Sequence, residues 1–66
     1  MKITLNGEPE SLDGPLTVAE LLRREVSEKR RVAVEVNREI VPRSQHDTHQ
    51  LKDGDQVEIV HAIGGG

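Results

Sequence analysis

With 66 residues, the chain is long enough for one small domain, which buries only about 60% of the surface that its unfolded chain exposes and leaves no room for a deep catalytic cleft. A net charge of −3 and the absence of Phe, Trp and Tyr argue against nucleic-acid binding, which depends on basic patches and base-stacking side chains. The absence of cysteine excludes a disulfide, a thiolate metal site and a cysteine nucleophile.

The start of the chain predicts a β-hairpin and not a targeting segment. Polar and apolar residues alternate over residues 2–6, which is typical of a half-buried strand. Asn6 and Gly7 follow, and this dipeptide suits a two-residue turn in which both positions need a positive φ. Residues 8–12 form the predicted return strand, and Pro9 confines that strand to the edge of a sheet. Since no apolar run approaches membrane length, we expect a cytoplasmic protein without membrane contact.

One helix is predicted in the middle of the chain. Thr17 and Glu20 have the spacing of a capping box, in which each side chain bonds a free amide of the first helical turn. The helix is expected to fade over residues 27–29. Its apolar stripe consists of Val18, Leu21, Leu22 and Val26.

The second half of the chain predicts the remaining strands. Alternating residues indicate strands over 32–36 and 39–41, residues 44–49 are expected to form a loop, and residues 53–55 a tight turn. The last strand is predicted over residues 56–63. Because the chain has one helix, that helix must cover one face of a mixed sheet, which gives an α+β domain.

The chain ends in Gly64, Gly65 and Gly66, and we expect residues 1–63 to form a folded head and residues 64–66 a flexible tail. A cloning scar or a frayed terminus would also end in glycine, although a scar usually brings a serine or a restriction-site residue. As a functional tail, three glycines reach about 10 Å and can thread a narrow channel in a partner. Without a Cβ beside it, the terminal carbonyl carbon is open to attack.

The chemistry that suits such a tail is activation of its carboxylate. An anionic carboxylate is a poor electrophile, and adenylation by ATP converts it into a mixed anhydride with a good leaving group. The chain has no glycine-rich phosphate loop with a lysine, so a partner enzyme must bind the ATP. We therefore expect no catalytic residue and no cofactor bound by the chain itself.

The last strand has an unusual second face. Val57 and Ile59 are predicted to point into the core, which places Glu58, Val60 and Ala62 on the other side. This face is either a sheet surface that is merely apolar or a docking patch beside the tail. We favour the docking patch.

Three histidines, one basic run and Arg43 are further candidate sites. His46 and His49 lie in a predicted loop without a third strong ligand, so no metal site is expected. His61 is on the same side of the last strand as the inward-facing Val57 and Ile59, so it is expected to cover the edge of the core. Residues 29–31 form a basic run that suits a solvated helix end, and Arg43 is a candidate for contact with a partner.

Five segments, taken together and in order, carry a resemblance to the ubiquitin-like sulfur carrier proteins of thiamin biosynthesis. The resemblance covers essentially the whole chain and implies the β-grasp fold, which agrees with the predicted element order. The family's ending is a glycine pair where this chain has three glycines, and several relatives have an aromatic residue where Gln45 and His46 stand. The matching segments are Ile3-Thr4-Leu5-Asn6-Gly7, Thr17-Val18-Ala19-Glu20-Leu21-Leu22, Val34-Glu35-Val36-Asn37, Ile40-Val41-Pro42-Arg43, and residues 53–60 running into the glycine end.

This resemblance implies how the tail works. An adenylating enzyme related to the ubiquitin-activating enzymes would adenylate Gly66, and sulfur from a donor protein would convert the adenylate into a thiocarboxylate. Thiazole synthase would then receive the sulfur. Gly65 would be the second residue of the family's glycine pair, and Gly64 would add reach. A chain without cysteine fits this role, because its terminal carboxylate is the one plausible place for sulfur.

Three other functions stay open at this point. The small sulfur-carrying subunit of molybdopterin synthase shares the fold but is longer. A ubiquitin-like protein modifier would use the same adenylate to form covalent conjugates with lysines. A plain interaction module would keep its function after Gly65 and Gly66 are removed.

Overall fold

In the described residues, five strands form one mixed sheet, and one α-helix lies across one of its faces. The computed structural model describes residues 1–26 and 31–61. The predicted α+β arrangement of one helix on a mixed sheet is confirmed. The elements are β1 (Lys2–Leu5), β2 (Glu8–Ser11), α1 (Val18–Glu25), β3 (Val32–Val36), β4 (Glu39–Val41), a 3₁₀-helix (Arg43–Gln45) and β5 (Gln56–His61).

The last strand in sequence is the central strand of the sheet. The strand order is β2-β1-β5-β3-β4, so β5 lies between β1 and β3. It runs parallel to β1, with Thr4 opposite Gln56, and antiparallel to β3, with Val32 opposite His61. The strand that leads to the glycine tail is therefore bonded along both edges.

Both hairpins turn on a pair of residues with positive φ. Asn6 (φ 51°) and Gly7 (φ 84°) connect β1 to β2 as predicted, and Asn37 (φ 53°) and Arg38 (φ 70°) connect β3 to β4. Such left-handed pairs match the twist of two-residue hairpins, and asparagine tolerates this conformation better than most residues. The β2 strand, which contains Pro9, lies at the edge of the sheet as predicted.

The predicted capping box starts α1. The backbone N–H of Thr17 donates to Glu20 Oε1 at 2.9 Å, and the backbone N–H of Glu20 donates to Thr17 Oγ1 at 3.1 Å. The helix ends at Glu25, and the backbone of the next residue, Val26, is extended. The predicted fade over 27–29 lies outside the described residues.

The segment after β4 is more ordered than the predicted loop. Residues 43–45 form a 3₁₀-helix. Backbone carbonyls that follow it accept hydrogen bonds from the first amides of α1. The N–H of Ala19 donates to the His46 carbonyl at 2.9 Å, and that of Val18 to the His49 carbonyl at 3.0 Å. The first amides of a helix have no partner within the helix, so they bond to this segment, and these bonds hold the segment in place.

The core lies between α1 and the sheet. Val18 and Leu21 face it from the helix as predicted, and Val57 and Ile59 face it from β5. No helix in the described part of the chain is long and apolar enough to cross a membrane. The buried apolar residues are Ile3, Leu5, Leu12, Val18, Leu21, Val34, Val36, Val41, Leu51, Val57 and Ile59.

A buried carboxylate fixes the start of β5. Asp55 accepts a hydrogen bond from the backbone N–H of Lys52 at 2.8 Å and another from Asn37 Nδ2 at 3.0 Å. The side-chain oxygen of Asn37 in turn accepts from the N–H of Gln56 at 2.9 Å. The predicted turn over residues 53–55 is thereby tied to the β3–β4 hairpin, and the buried carboxylate of Asp55 has hydrogen-bond partners from both.

The capping box generates a pH-dependent prediction. Two hydrogen bonds from Thr17, the larger effect coming from its backbone N–H and the smaller from its hydroxyl, hold the pKa of Glu20 below its ordinary value of 4.5. Because folding lowers the pKa of Glu20, the ionised carboxylate stabilises the folded state at every pH above the pKa that Glu20 has in the unfolded chain. This stabilisation is lost as the pH falls through the pKa of Glu20 in the folded state. We expect Glu20→Gln to lower the free energy of unfolding at neutral pH and to match the wild type in strong acid. Urea unfolding of both proteins across this pH range measures the difference, and a difference independent of pH would contradict the prediction.

Candidate functional site

The candidate site is the C-terminal end of β5 and the surface around it. His61 is the last described residue of this strand. Ala62 and the tail residues Gly64, Gly65 and Gly66 lie outside the described residues, as does the predicted strand end at residues 62–63. Five residues beyond His61 span at most about 18 Å when extended. The terminal carboxylate is therefore confined to this distance from the end of β5.

The side chain of Asn6 extends the hydrogen bonding between β1 and β5. The pairing of the two strands ends at Leu5 opposite Val57. Beyond it, the backbone N–H of Asn6 donates to the Val57 carbonyl at 2.9 Å, and Asn6 Oδ1 accepts from the N–H of Ile59 at 2.8 Å. The amide oxygen of Asn6 thus replaces the carbonyl of a further strand residue, and the turn that reverses the chain also anchors the tail-bearing strand.

The face of the sheet that α1 leaves open carries an apolar and acidic surface. Val60 lies opposite Ala33, and Glu35 lies opposite both Glu58 and Ile40. Ile40 is 60% exposed and Val60 51% exposed, and these are the exposed large hydrophobic residues of the described chain. We call Ala33, Glu35, Ile40, Glu58 and Val60 the open-face patch.

Two acidic residues occupy the middle of the open-face patch. Glu35 and Glu58 occupy directly opposite positions of neighbouring antiparallel strands. Like charges in such a pair destabilise a sheet, by an amount comparable to the roughly 0.2–1 kcal/mol that a favourable cross-strand pair contributes. A basic group placed over the pair would remove this repulsion.

The structure brings two of the three predicted patch residues together. Val60 and Glu58 lie on the same exposed face, as their spacing in β5 predicts, whereas Ala62 is outside the described residues. His61 is exposed, so the expectation that it covers the core edge was wrong. The core ends one inward position earlier, at Ile59.

Sequence reasoning missed the contribution of β3 and β4 to this surface. Ala33 and Glu35 alternate with buried valines, and that alternation could have placed them on the open face. Ile40 gives no such signal, because a three-residue strand is too short to show a period. The described residues contain no group of three metal-ligating side chains.

Comparisons with known proteins identify the family that this chain resembles. The profile of the ThiS family matches residues 3–66. The chain is 46% identical over its whole length to a thiazole synthase of Paramagnetospirillum magneticum, of which the match covers only 20%. The chain therefore spans about a fifth of the length of the first relatives that it matches.

Two further relatives match along their whole length. The sulfur carrier protein ThiS of Escherichia coli is 35% identical, and the match covers all of both chains. The crystal structure of a thiamine biosynthesis protein (ThiS) from Geobacter metallireducens superposes with a TM-score of 0.86 at 42% identity, again over all of both chains. The resemblance seen in the sequence and the expected β-grasp fold are confirmed.

The anchoring of β5 by Asn6 generates a stability prediction. Asn6→Ala removes the acceptor for Ile59 N–H. It also places at positive φ a residue that tolerates this conformation less well than asparagine does, so we expect the free energy of unfolding to fall by about 2 kcal/mol. Asn6→Asp is the matched control, because it keeps an acceptor oxygen and tolerates the same φ. Urea unfolding gives the stability, and amide hydrogen exchange at Ile59 reports the local bond. Equal stability of the alanine and aspartate variants would contradict the prediction.

Proposed function

Because this chain belongs to the ThiS family, we propose that it carries sulfur on the C-terminal carboxylate of Gly66 and delivers it to a thiazole synthase. The proposal assigns residues 1–63 to a folded head and residues 64–66 to a tail that enters partner active sites. The observation that carries it is the family match through Gly66 in a chain without cysteine. The expectation of a carrier and not a catalyst agrees with a family whose E. coli member is a sulfur carrier protein.

The proposed loading takes place in two steps at one carbon atom. A carboxylate oxygen of Gly66 attacks the α-phosphorus of ATP, and pyrophosphate leaves, which gives the acyl adenylate. A sulfide nucleophile then adds to the carbonyl carbon, the bond from that carbon to the AMP oxygen breaks, and the products are a thiocarboxylate and AMP. An adenylating enzyme binds the ATP, and a donor protein supplies the sulfur. Gly64 and Gly65 lead the reacting carbon through a narrow channel, because glycine has no side chain.

The thiazole synthase relatives support the choice of acceptor. In the Paramagnetospirillum magneticum protein, a region 46% identical to this chain makes up a fifth of a protein named thiazole synthase. Joining a carrier to its acceptor in one chain replaces a bimolecular encounter by an intramolecular one at high effective concentration. This arrangement favours thiazole synthesis over the molybdopterin branch as the destination of the sulfur.

The open-face patch is the proposed docking surface for the adenylating enzyme, together with Ala62. Exposed apolar residues that cluster beside a reactive terminus are typical of a protein-binding site. Val60 lies one residue before the last described position of β5, close to where the tail begins. The Glu35–Glu58 pair suits a partner that places a basic group between apolar side chains.

Loading of the tail is the direct test of the proposed function. We expect the full chain, incubated with the adenylating enzyme, ATP and sulfide, to gain the mass of one sulfur in exchange for one oxygen, confined to the C-terminal peptide. A chain amidated at Gly66 should stay unmodified, because it lacks the carboxylate. Intact-mass spectrometry measures both. An unmodified wild type beside an enzyme that is active on its own carrier would overturn the proposal, and lysine conjugates without sulfur incorporation would assign the chain to the protein modifiers.

Docking through Val60 predicts a change in affinity without loss of the fold. Because Val60 is half exposed, Val60→Ser should fold normally and raise the KM of the adenylating enzyme for the carrier by about tenfold. The kcat at saturating carrier should stay close to that of the wild type. Val60→Ile, which keeps the apolar surface, is the control and should show a KM near the wild-type value. Equal KM values for the serine and isoleucine variants would contradict docking at this residue.

A further inference from the structure

A basic groove lies on the helix side of the sheet. Arg31, Arg43 and His46 line it together with the partly buried Leu22 and Val32, and its volume is about 290 Å³. Among the described residues, the lining contains no carboxylate. In the described part of the chain, the groove thus brings two arginines and a histidine together, on a chain whose net charge is −3.

The groove begins next to the end of the tail-bearing strand. Val32 is the direct partner of His61 in the β3–β5 pairing. It shares the inward parity of Val34, so it faces the helix side of the sheet, whereas Val60 faces the open side. The exit of the tail is therefore flanked by the basic groove on one face and by the acidic and apolar open-face patch on the other.

The backbone holds the groove's polar residues in defined positions. Arg43 is the first residue of the 3₁₀-helix. His46 Nε2 lies 3.0 Å from the Val41 carbonyl and must be the donor, since a carbonyl oxygen only accepts. The His46 carbonyl accepts from the N–H of Ala19 in α1. The segment that supplies two of the three basic groups is thus fixed to both the sheet and the helix.

The chemistry of the groove selects a carboxylate. Arginine is charged at every physiological pH, and its planar fork of N–H donors matches the two oxygens of a carboxylate. Two guanidinium groups that share one groove repel each other until an anion lies between them. The apolar walls formed by Leu22 and Val32 exclude part of the water and strengthen the attraction.

The short reach of the tail indicates which molecule brings this carboxylate. An enzyme that holds the terminal carboxylate in its active site must lie within about 18 Å of His61. The groove begins beside His61, where Val32 is its direct strand partner. The groove therefore lies within reach of such a partner.

We propose that the basic groove binds an aspartate or glutamate side chain of the thiazole synthase that takes the tail, and that this contact fixes the rotation of the carrier about its tail. The inference rests on the proposed function. A glycine tail alone joins two proteins at one flexible point and leaves their relative orientation free. A second contact of opposite charge, beside that point, removes this freedom and rejects surfaces of the wrong charge.

Affinity for thiazole synthase tests the inference. The test variant is Arg31→Gln with Arg43→Gln, and the matched control is Arg23→Gln with Arg24→Gln, which removes the same charge from exposed positions of α1 outside the groove. We expect the test variant to bind the synthase about tenfold more weakly and with a smaller salt dependence, and the control to bind nearly as the wild type does. Isothermal titration calorimetry of each thiocarboxylated full chain at low and high salt measures both, after thermal unfolding has verified the fold.

Charge reversal identifies the contact itself. Arg43→Glu should weaken binding further, and an Asp→Arg or Glu→Arg substitution at the rim of the synthase channel should restore it. Equal affinities of the test and control variants would overturn the inference, while normal loading of the wild type would leave the proposed function intact. A wild type that is never loaded would overturn the proposed function and, with it, this inference.

Discussion

The arrangement of this small domain depends on the hydrogen bonding of β5 along both of its edges. The core that the described residues form has eleven aliphatic side chains and is thin, so the strand that leads to the tail needs more than packing to hold it in place. The antiparallel pairing with β3 continues to His61, while the parallel pairing with β1 is short and is completed by the side chain of Asn6. Asn37 has the same role at the other end of the strand, where its oxygen accepts from Gln56. Two turn residues therefore supply bonds that a longer sheet would take from its backbone.

This anchoring separates the folded part of the chain from the tail that is proposed to react. The proposed chemistry uses a backbone carboxylate and needs no side chain of the head, so the head contributes position and surface. A catalyst requires groups held around a reacting atom, whereas a carrier requires that its reacting atom leave the head and enter other proteins. The absence of cysteine agrees with this division, because no thiol competes for the sulfur. The two faces beside the exit differ in charge, and a partner can recognise the direction from which the tail comes.

Much of the fold could be predicted from the sequence, because its signals are local. The Asn6-Gly7 turn and the Thr17–Glu20 capping box each depend on residues within one turn of the chain, and both are present. The surfaces around the tail were predicted less completely, because they depend on register. Ile40 joins Glu58 on the open face only through β3, which lies between their strands. Arg31, just before β3, and Arg43, at the start of the 3₁₀-helix, line the same groove. The sequence carries no signal that these two segments lie side by side.

The parallel pairing of β1 with β5 also determines how the molecule can be handled. Parallel neighbours start at the same edge of the sheet, so the amino group of Met1 lies at the edge opposite to the end of β5. That amino group donates to the Leu12 carbonyl at 3.1 Å, within the β1–β2 ribbon and away from both surfaces that flank the exit. A fluorophore or an affinity handle attached beside Met1 would therefore sit at the far edge of the sheet from the end of β5 and would leave the approach to that end open.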